Sequence, residues 1–484
     1  MIKHHKKPKE QKVLFNNGII KTPYTGRLFV ETIFKPSTEG GSILFATYGL
    51  DKMNNIKSNI ISYQTEIVED GNKGKIHYSP SFMNSKLLFQ KKVVLLPSGA
   101  EEYGSEEELI KEIRDYIHRY IDISPFFEEL VSYYVLFTWV FDNFNELPYL
   151  RFFGDYGTGK TTALKVVGSI CFRPIFIGGA ATPSPIFRMI EQFNGTLIID
   201  EGDFKTSETW SDIVKIFNCG HTKGFPVLRT EKTGEKQTVR AFDVFGPKIL
   251  AAREGFQDNA LESRFLTERM QSDNIRPDIL FNLPDCFWDE ATVLRNKLLM
   301  WRFKNYGKKQ IDTSLENRNI EPRLNQIMLP LASIVTDKKV QKNLMEFIEK
   351  RNKEIILERG SEFDAEILES YIKLGVLQTS GGKIIIKEIT IGEITDAINK
   401  TYGEKYDKKL NPRKIGYIIN KKLGLKTQRL SNGIAVTTDN KVKIILLAKK
   451  FGLEIPNNIL EENKDNKEEV KEKENEQLKM IVKG

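Results

Sequence analysis

The sequence predicts an α/β protein: a parallel sheet flanked by helices at the centre, a small β-containing domain before it and a compact segment of helices and a hairpin after it. Three observations point there. Between about Pro148 and Met270, apolar strand-like runs ("YLRFF", "RPIFIG", "GTLIID", "GPKILAA") alternate with helix-like segments, the pattern of a parallel sheet sandwiched by helices. The first run opens into "GDYGTGKTT", Gly154 to Thr162, a glycine-rich turn between a strand and a helix. The chain after Thr379 reads as helix, basic helix, hairpin, helix.

Taken in order, "GRLFVETIF" and "KKVVLLP" alternate as short strands, which places a β-containing domain over 1–104. "SEEELIKEIRDYIHRYIDI" begins with Ser105 and an acidic first turn, a good helix start. "LVSYYVLFTWVF", Leu130 to Phe141, is too short to cross a bilayer, which needs roughly 20 residues, so it reads as a buried helix. The core with its preceding helices spans 105–275, and 276–378 reads as a helical lid or linker. A glycine break in "TSGGKIII" opens a C-terminal domain over 379–455. In it "TIGEITDAINKTY" is one helix, and "LNPRKIGYIINKKLGL" is a second, capped by Asn411 with Pro412 in its first turn. "KTQRLSNGIAVTT" turns at Asn432 and Gly433, and "NKVKIILLAKKFGL" closes the domain. Residues 456–484 carry mixed charge with little to bury and read as a flexible tail.

Composition narrows the class. The 484 residues are 40% hydrophobic and 29% charged, ordinary for a soluble protein of about three domains. A net charge of +8 permits an anionic partner without demanding one. Cys171, Cys219 and Cys286 are odd in number and far apart, which argues against a disulfide framework or a zinc site and for a reducing cytoplasm. The basic N-terminus leads into no apolar stretch of secretory type, and no membrane association is expected. His4, His5 and His77 have no metal-binding spacing, so the N-terminal domain receives no chemistry.

The glycine turn carries the chemistry. Gly154, Gly159, Lys160 and Thr161 fit G-x-x-x-x-G-K-[ST], a loop whose glycines let backbone N–H groups point at phosphate oxygens. Gly154, Asp155, Tyr156, Gly157, Thr158, Gly159, Lys160, Thr161 and Thr162 would thus cradle ATP. Lys160 would neutralise the β- and γ-phosphates, and Thr161 would ligate Mg²⁺. In "GTLIIDEGDF" a strand ends in Asp200, placed to hold the magnesium, and Glu201, placed to orient and deprotonate water. A kinase of metabolites has no need of that second acid, so the pair favours hydrolysis.

"FGPKILAAREGFQDNALESRF" adds a strand ending at Arg253 and an S-R-F motif. The combination resembles an AAA+ ATPase. That resemblance implies that Arg253 stands at the sensor 1 position, normally Asn or Thr, and that Arg264 is a finger serving the neighbouring subunit's γ-phosphate. Arg264 is alternatively a structural ion pair with an acid such as Glu262. "NIEPRLNQIMLPL" would offer Arg323 as a sensor 2 arginine.

Between the acidic strand and the sensor strand, "PVLRTE" and "KQTVRAF" flank "KTG" as a hairpin carrying Lys232, Lys236 and Arg240. It is similar to the pre-sensor hairpin of superfamily 3 and minichromosome-maintenance helicases, where cations grip phosphates without reading sequence. A solvated edge hairpin is the alternative. The C-terminal pattern is that of a winged helix. Arg413, Lys414, Lys421 and Lys422 on its basic helix, with Lys426 and Arg429 on the wing, would meet DNA. Winged helices also serve as protein-contact modules. "ELVSYYVLFTWVFDNFNELPYLRFFGDYGTGKTT" further resembles P-loop ATPases of phages, plasmids and other mobile elements. Together these imply a cytoplasmic DNA helicase or helicase-like replication protein acting on single-stranded or forked DNA, with a homo-oligomer, a hexamer by the resemblance, sharing its ATP sites. An initiator or loader that does not unwind, and a defence or signalling ATPase, are the competing expectations.

Overall fold

In a computed structural model, which describes residues 11–454 except 16, 23–25, 39, 51–55, 72–73, 179–180, 201–207, 234–235, 257, 272–274, 361–362, 379–383, 403–404 and 406–408, the chain forms two compact units, 1–348 and 349–484. The first unit opens with β1 (Gln11–Phe15), β2 (Asn17–Thr22), β3 (Gly26–Lys35), β4 (Ser42–Leu50), β5 (Ile56–Gln64), β6 (Ile67–Gly71) and β7 (Gly74–Pro80). These make a four-stranded antiparallel sheet in the order β2-β3-β4-β5 and a three-stranded sheet, β1-β7-β6. Helices α1 (Lys86–Gln90), α2 (Glu106–Tyr120) and α3 (Pro125–Thr138) lead to β8 (Tyr149–Phe153) and α4 (Lys160–Ile170). Then come β9 (Ile175–Ile177), α5 (Pro183–Phe193), β10 (Leu197–Ile199), α6 (Glu208–Cys219) and the hairpin β11 (Val227–Thr233) and β12 (Lys236–Phe242). The unit continues through β13 (Lys248–Ala252), α7 (Asn259–Glu262), β14 (Phe265–Arg269), α8 (Phe287–Asn305) and α9 (Pro322–Ala332) into α10 (Lys338–Gly360).

The central sheet is parallel throughout, in the order β14-β8-β13-β10-β9. Four of its strands are the four apolar runs of the sequence. The fifth, β14, lies in "FLTER" and begins on the phenylalanine of the S-R-F motif, where the motif masks the strand. α4 packs on β8, β10 and β13, and α3 behind it is buried from Leu130 to Thr138. Trp139 Nε1 donates to the Ile170 carbonyl at 3.0 Å and ties the two helices together. The capping box of α2 forms as its sequence implies: Glu108 N donates to Ser105 Oγ at 3.1 Å and Ser105 N to the Glu108 carboxylate at 2.8 Å.

"KKVVLLP" does not form a strand of the N-terminal sheet. Lys92 adopts φ 57°, and beyond it the segment runs along the edge of the central sheet, with one antiparallel bridge between Val94 and Ile175. The four-stranded N-terminal sheet also shares the core of this unit. Tyr48 stacks on Phe303 of α8 at 5.3 Å, and Phe29 meets it edge-on at 5.2 Å. Beneath them Glu31 of β3, 1% exposed, accepts from Arg173 at 2.6 Å and from Arg302 at 2.7 Å. Arg302 also holds Asp142 at 2.8 Å. Burial opposes the charge on Asp142, but this guanidinium outweighs it and keeps the carboxyl below its usual range.

In the second unit, α11 (Phe363–Gly375), β15 (Val376–Gln378), β16 (Ile384–Ile386), β17 (Ile389–Thr390), α12 (Ile391–Tyr402), α13 (Pro412–Tyr417), β18 (Thr427–Leu430), β19 (Gly433–Val436) and α14 (Lys441–Phe451) follow. β17-β19-β18 form an antiparallel sheet. Asn411 caps α13 through Arg413 N, and the helix runs on into a π-helical turn over Ile418–Lys422. Ile367, Leu368 and Tyr371 of α11 join Ile394, Ile398, Ile415, Ile419, Val436 and Ile444 in one core. The helix placed by sequence in the linker is therefore part of the C-terminal core. The tail from 455 on lies outside the described residues.

Candidate phosphate-binding site

The loop between β8 and α4 has the backbone that its glycines allow. Gly157 (φ 75°) and Gly159 (φ 81°) occupy the left-handed region, and a Cβ on Gly154 would meet the Met270 carbonyl oxygen at 2.5 Å. Gly154 N donates to Ala252 O at 3.2 Å and Met270 N to Phe153 O at 2.7 Å, so both neighbouring strands hold the loop's entry. Thr158 Oγ1 closes the turn on Asp155 O at 2.9 Å. Lys160, 6% exposed, begins α4 and donates to Asp155 O at 2.5 Å, across the mouth of the loop. Thr161 and Thr162 follow in the first turn of α4, where helix N–H groups and the positive end of the helix dipole favour an anion.

Asp200 stands at the C-terminal end of β10, two strands from β8, and Thr161 Oγ1 donates to its Oδ1 at 3.0 Å. Two hard oxygens at that separation fit Mg²⁺, which takes one or two protein oxygens and fills its octahedron with water and phosphate. Among the described residues no group of three or more His, Cys, Asp or Glu could hold a metal by itself. Glu201 lies outside the described residues. Arg253 ends β13 beside the loop, and its guanidinium lies over the ring of Tyr156 at 3.8 Å.

Arg264 sits at the opposite end of the sheet. It precedes β14, whose Phe265 pairs with Tyr149 and whose Arg269 pairs with Phe153, so a five-residue strand of about 17 Å separates it from the loop. It is 6% exposed and donates to Asn218 Oδ1 at the end of α6. Glu262, the acid that sequence offered as its partner, instead takes Arg151 at 2.6 and 2.8 Å. Arg323 is exposed at the start of α9, and its charge is felt by Arg264 and His221. Arg264, His221 and Arg323 thus lie within electrostatic reach of one another, at the end of the sheet away from the loop.

Sequence reading missed what joins this edge to the hairpin. Lys248, 1% exposed, donates to the carbonyls of Gly220, Val244 and Gly246 at 3.2, 2.9 and 2.8 Å, clamping the end of α6 to the strand after β12. Burial pushes its ammonium down to about 7. His221, in the same turn, is pushed down to about 4, first by burial and then by Arg264. Its unfolded value of 6.5 is higher, so the unfolded chain takes up a proton that the folded chain refuses. This contribution is complete above pH about 6.5 and is lost as pH falls toward 4. The melting temperature should accordingly fall more steeply over that window in the wild type than in His221→Gln. A difference between the two proteins that stays constant with pH, read by scanning fluorimetry, would refute it.

The hairpin has two unlike faces. Arg240 pairs with Glu191 at 2.5 Å and Glu231 at 3.8 Å, and Arg229 pairs with Asp212 at 3.0 Å, so this face is pinned to α5 and α6. Arg240 thus reaches α5 as well as the facing strand. The side chains of Lys232 and Lys236 lie outside those described. In the second unit Arg413, Lys414, Lys421, Lys422, Lys426 and Arg429 are all exposed; Lys422 pairs with Asp364 at 3.3 Å, and Lys414 lies over Phe363 at 5.2 Å. Tyr417, 63% exposed on the same helix, was not singled out by sequence because an aromatic at helical spacing reads as core.

Strand order, loop and the Thr161–Asp200 contact define a mixed α/β protein with a five-stranded parallel sheet, consistent with a P-loop core. No protein-family model and no curated protein matches the sequence. Among solved structures, the apo C-terminal region of NrS-1 is similar at a TM-score of 0.33 and 11% identity, over 84% of this chain and 95% of that one. A structure named "SCCmec type IV Cch - active helicase" is similar at a TM-score of 0.37 and 12% identity, over 92% of this chain and 81% of that one. Among the described residues no helix is long and apolar enough to cross a membrane.

Proposed function

We propose that the protein is a DNA-dependent ATPase of the AAA+ type, acting as a ring-forming helicase or helicase-like replication protein of a mobile element. The observation that carries this reading is the Thr161–Asp200 contact beside a glycine loop and a buried lysine. In it Lys160 and the loop N–H groups hold the β- and γ-phosphates, and Thr161 and Asp200 hold Mg²⁺, which supplies charge neutralisation on the phosphates. Glu201, next in the chain after Asp200, takes the proton of the attacking water.

Arg264 cannot reach this pocket within its own chain, since a strand's length lies between them. A pocket on a neighbouring copy is where its charge has a use, with Arg323 beside it. Assembly would then draw Arg264 away from Asn218, and that movement, passed through the Lys248 clamp, would reach the hairpin. The exposed cations of the second unit, on a helix–helix–hairpin–helix order suited to a winged helix, supply contacts to DNA phosphates.

Mixing subunits tests this. Glu201→Gln and Arg264→Ala proteins should each be nearly inactive alone, and an equimolar mixture with single-stranded or forked DNA should regain a measurable fraction of ATPase, because some interfaces then pair an intact Glu201 with an intact Arg264. Full activity in either single variant overturns the shared-site reading, and a rate indifferent to DNA and salt overturns the DNA-dependent one.

A further inference from the structure

We propose that Tyr417 stacks on an unpaired nucleobase, so that the second unit favours DNA with single-stranded bases over closed duplex. This rests on the DNA-binding reading above and deepens it by naming the form of DNA that this surface takes.

Between Asn411 and Thr438 the chain carries six cations and no acid. One face of α13 and of the π-helical turn after it is seated on the core: Ile415, Ile418 and Ile419 are buried, and a Cβ on Gly416 would meet Ile391 Cδ1 at 3.0 Å. The outer face is left with the Tyr417 ring, 63% exposed. Arg413 and Lys414 stand four and three residues before it and Lys421 four after it, spacings that share a helix face. Among the described residues the ring has no aromatic or cationic neighbour stacked on it, and Arg413 and Lys421 form no ion pair. The other cations of the turn are engaged elsewhere, Lys414 over Phe363 at 5.2 Å and Lys422 with Asp364 at 3.3 Å. Asn420 Nδ2 donates to Thr427 Oγ1 at 3.1 Å and ties the turn to β18, whose Arg429 leaves the strand on the same side as Thr427. An aromatic face thus lies within a row of cations that runs from the helix to the wing.

Those cations track phosphates and are blind to whether the strand is paired. The ring adds to them only through its face. In a duplex each base face is covered by its stacked neighbours and only edges are offered, whereas an unpaired strand frees the face. Stacking there tolerates any sequence, because every base has a π-face. A protein partner is the poorer fit, since the exposed residues beside the ring on the helix are charged or polar and protein interfaces are depleted of charge at their centre.

The experiment measures binding of a labelled oligothymidine and of a blunt duplex of equal length to the full chain by fluorescence anisotropy, without nucleotide, with oligomer mass read in parallel. In Tyr417→Ala, affinity for the single strand should fall about five- to hundredfold, the range for losing one base–aromatic stack, while duplex affinity changes by less than about twofold. Tyr417→Phe, which keeps the ring face, should bind both as the wild type does. Lys421→Ala provides the contrast: it should weaken both forms alike and lower the salt slope by about 1. Equal losses on strand and duplex in Tyr417→Ala, no loss on the strand, or a loss that comes with a change in oligomer mass overturns the proposal, the last by assigning the ring to a contact between copies. Each of these leaves the DNA-binding reading intact. A wild-type protein that binds neither form overturns both.

Discussion

Lys160→Ala should lower the ATPase rate at least 10²-fold, the usual consequence of removing one charge-stabilising donor from a phosphoryl-transfer site. The lysine is nearly buried at the first residue of α4 and spans the loop mouth, where the proposed function puts the phosphates. Lys160→Met keeps the aliphatic stem and should lose as much activity, which separates loss of charge from loss of packing. Asp200→Asn should behave differently. It should retain nucleotide binding while losing Mg²⁺-dependent turnover, because Thr161 keeps a polar partner but the ion loses its carboxylate. Phosphate release and nucleotide titration measure the two effects. A Lys160→Ala protein with wild-type turnover would remove the phosphate site from this loop.

Glu31→Ala should be the most destabilising single change in the first unit, by about 3–5 kcal/mol, the range for breaking a buried ion pair from one side. It removes a carboxylate from two buried guanidinium groups, Arg173 and Arg302, which are 1% and 0% exposed. Arg302 keeps Asp142, but Arg173 loses its carboxylate. Glu231→Gln on the hairpin provides the contrast. Its partners Arg188 and Arg240 are 58% and 47% exposed, and the loss should stay below about 1 kcal/mol. Denaturant unfolding of both variants tests this. Equal, small losses would mean that aromatic packing on Phe303, rather than the ion network, joins the N-terminal sheet to the core.

The elements that carried their own local signals were legible. The capping box of Ser105 and Glu108, the cap at Asn411, the turn before Gly433 and the glycines of the phosphate loop all act over three or four residues, and each forms where its residues stand. The strand in "FLTER" was not, because five residues with a charge at either side carry little periodicity and pair only through β8. "KKVVLLP" failed in the opposite sense: its apolar run suits a strand, yet it meets the sheet edge at a single bridge. The face that Arg240 occupies was not legible, because charge on a hairpin says nothing of which face it takes. That depends on register, and Arg229 opposite Arg240 puts both over α5 and α6.

From its residues alone the chain determines the backbone of the loop between β8 and α4, since its glycines and its lysine are a contiguous piece of backbone chemistry. It also determines the alternation that makes the central sheet parallel. Only the tertiary structure decides which distant groups share an edge. It brings Asp200 to Thr161, lays Arg253 on Tyr156, sends Arg264 to Asn218 at the far end of the strands, and sinks Glu31 between two arginines. Those pairings arise from strand order and burial, and charges taken out of water must find partners wherever the packed chain brings them.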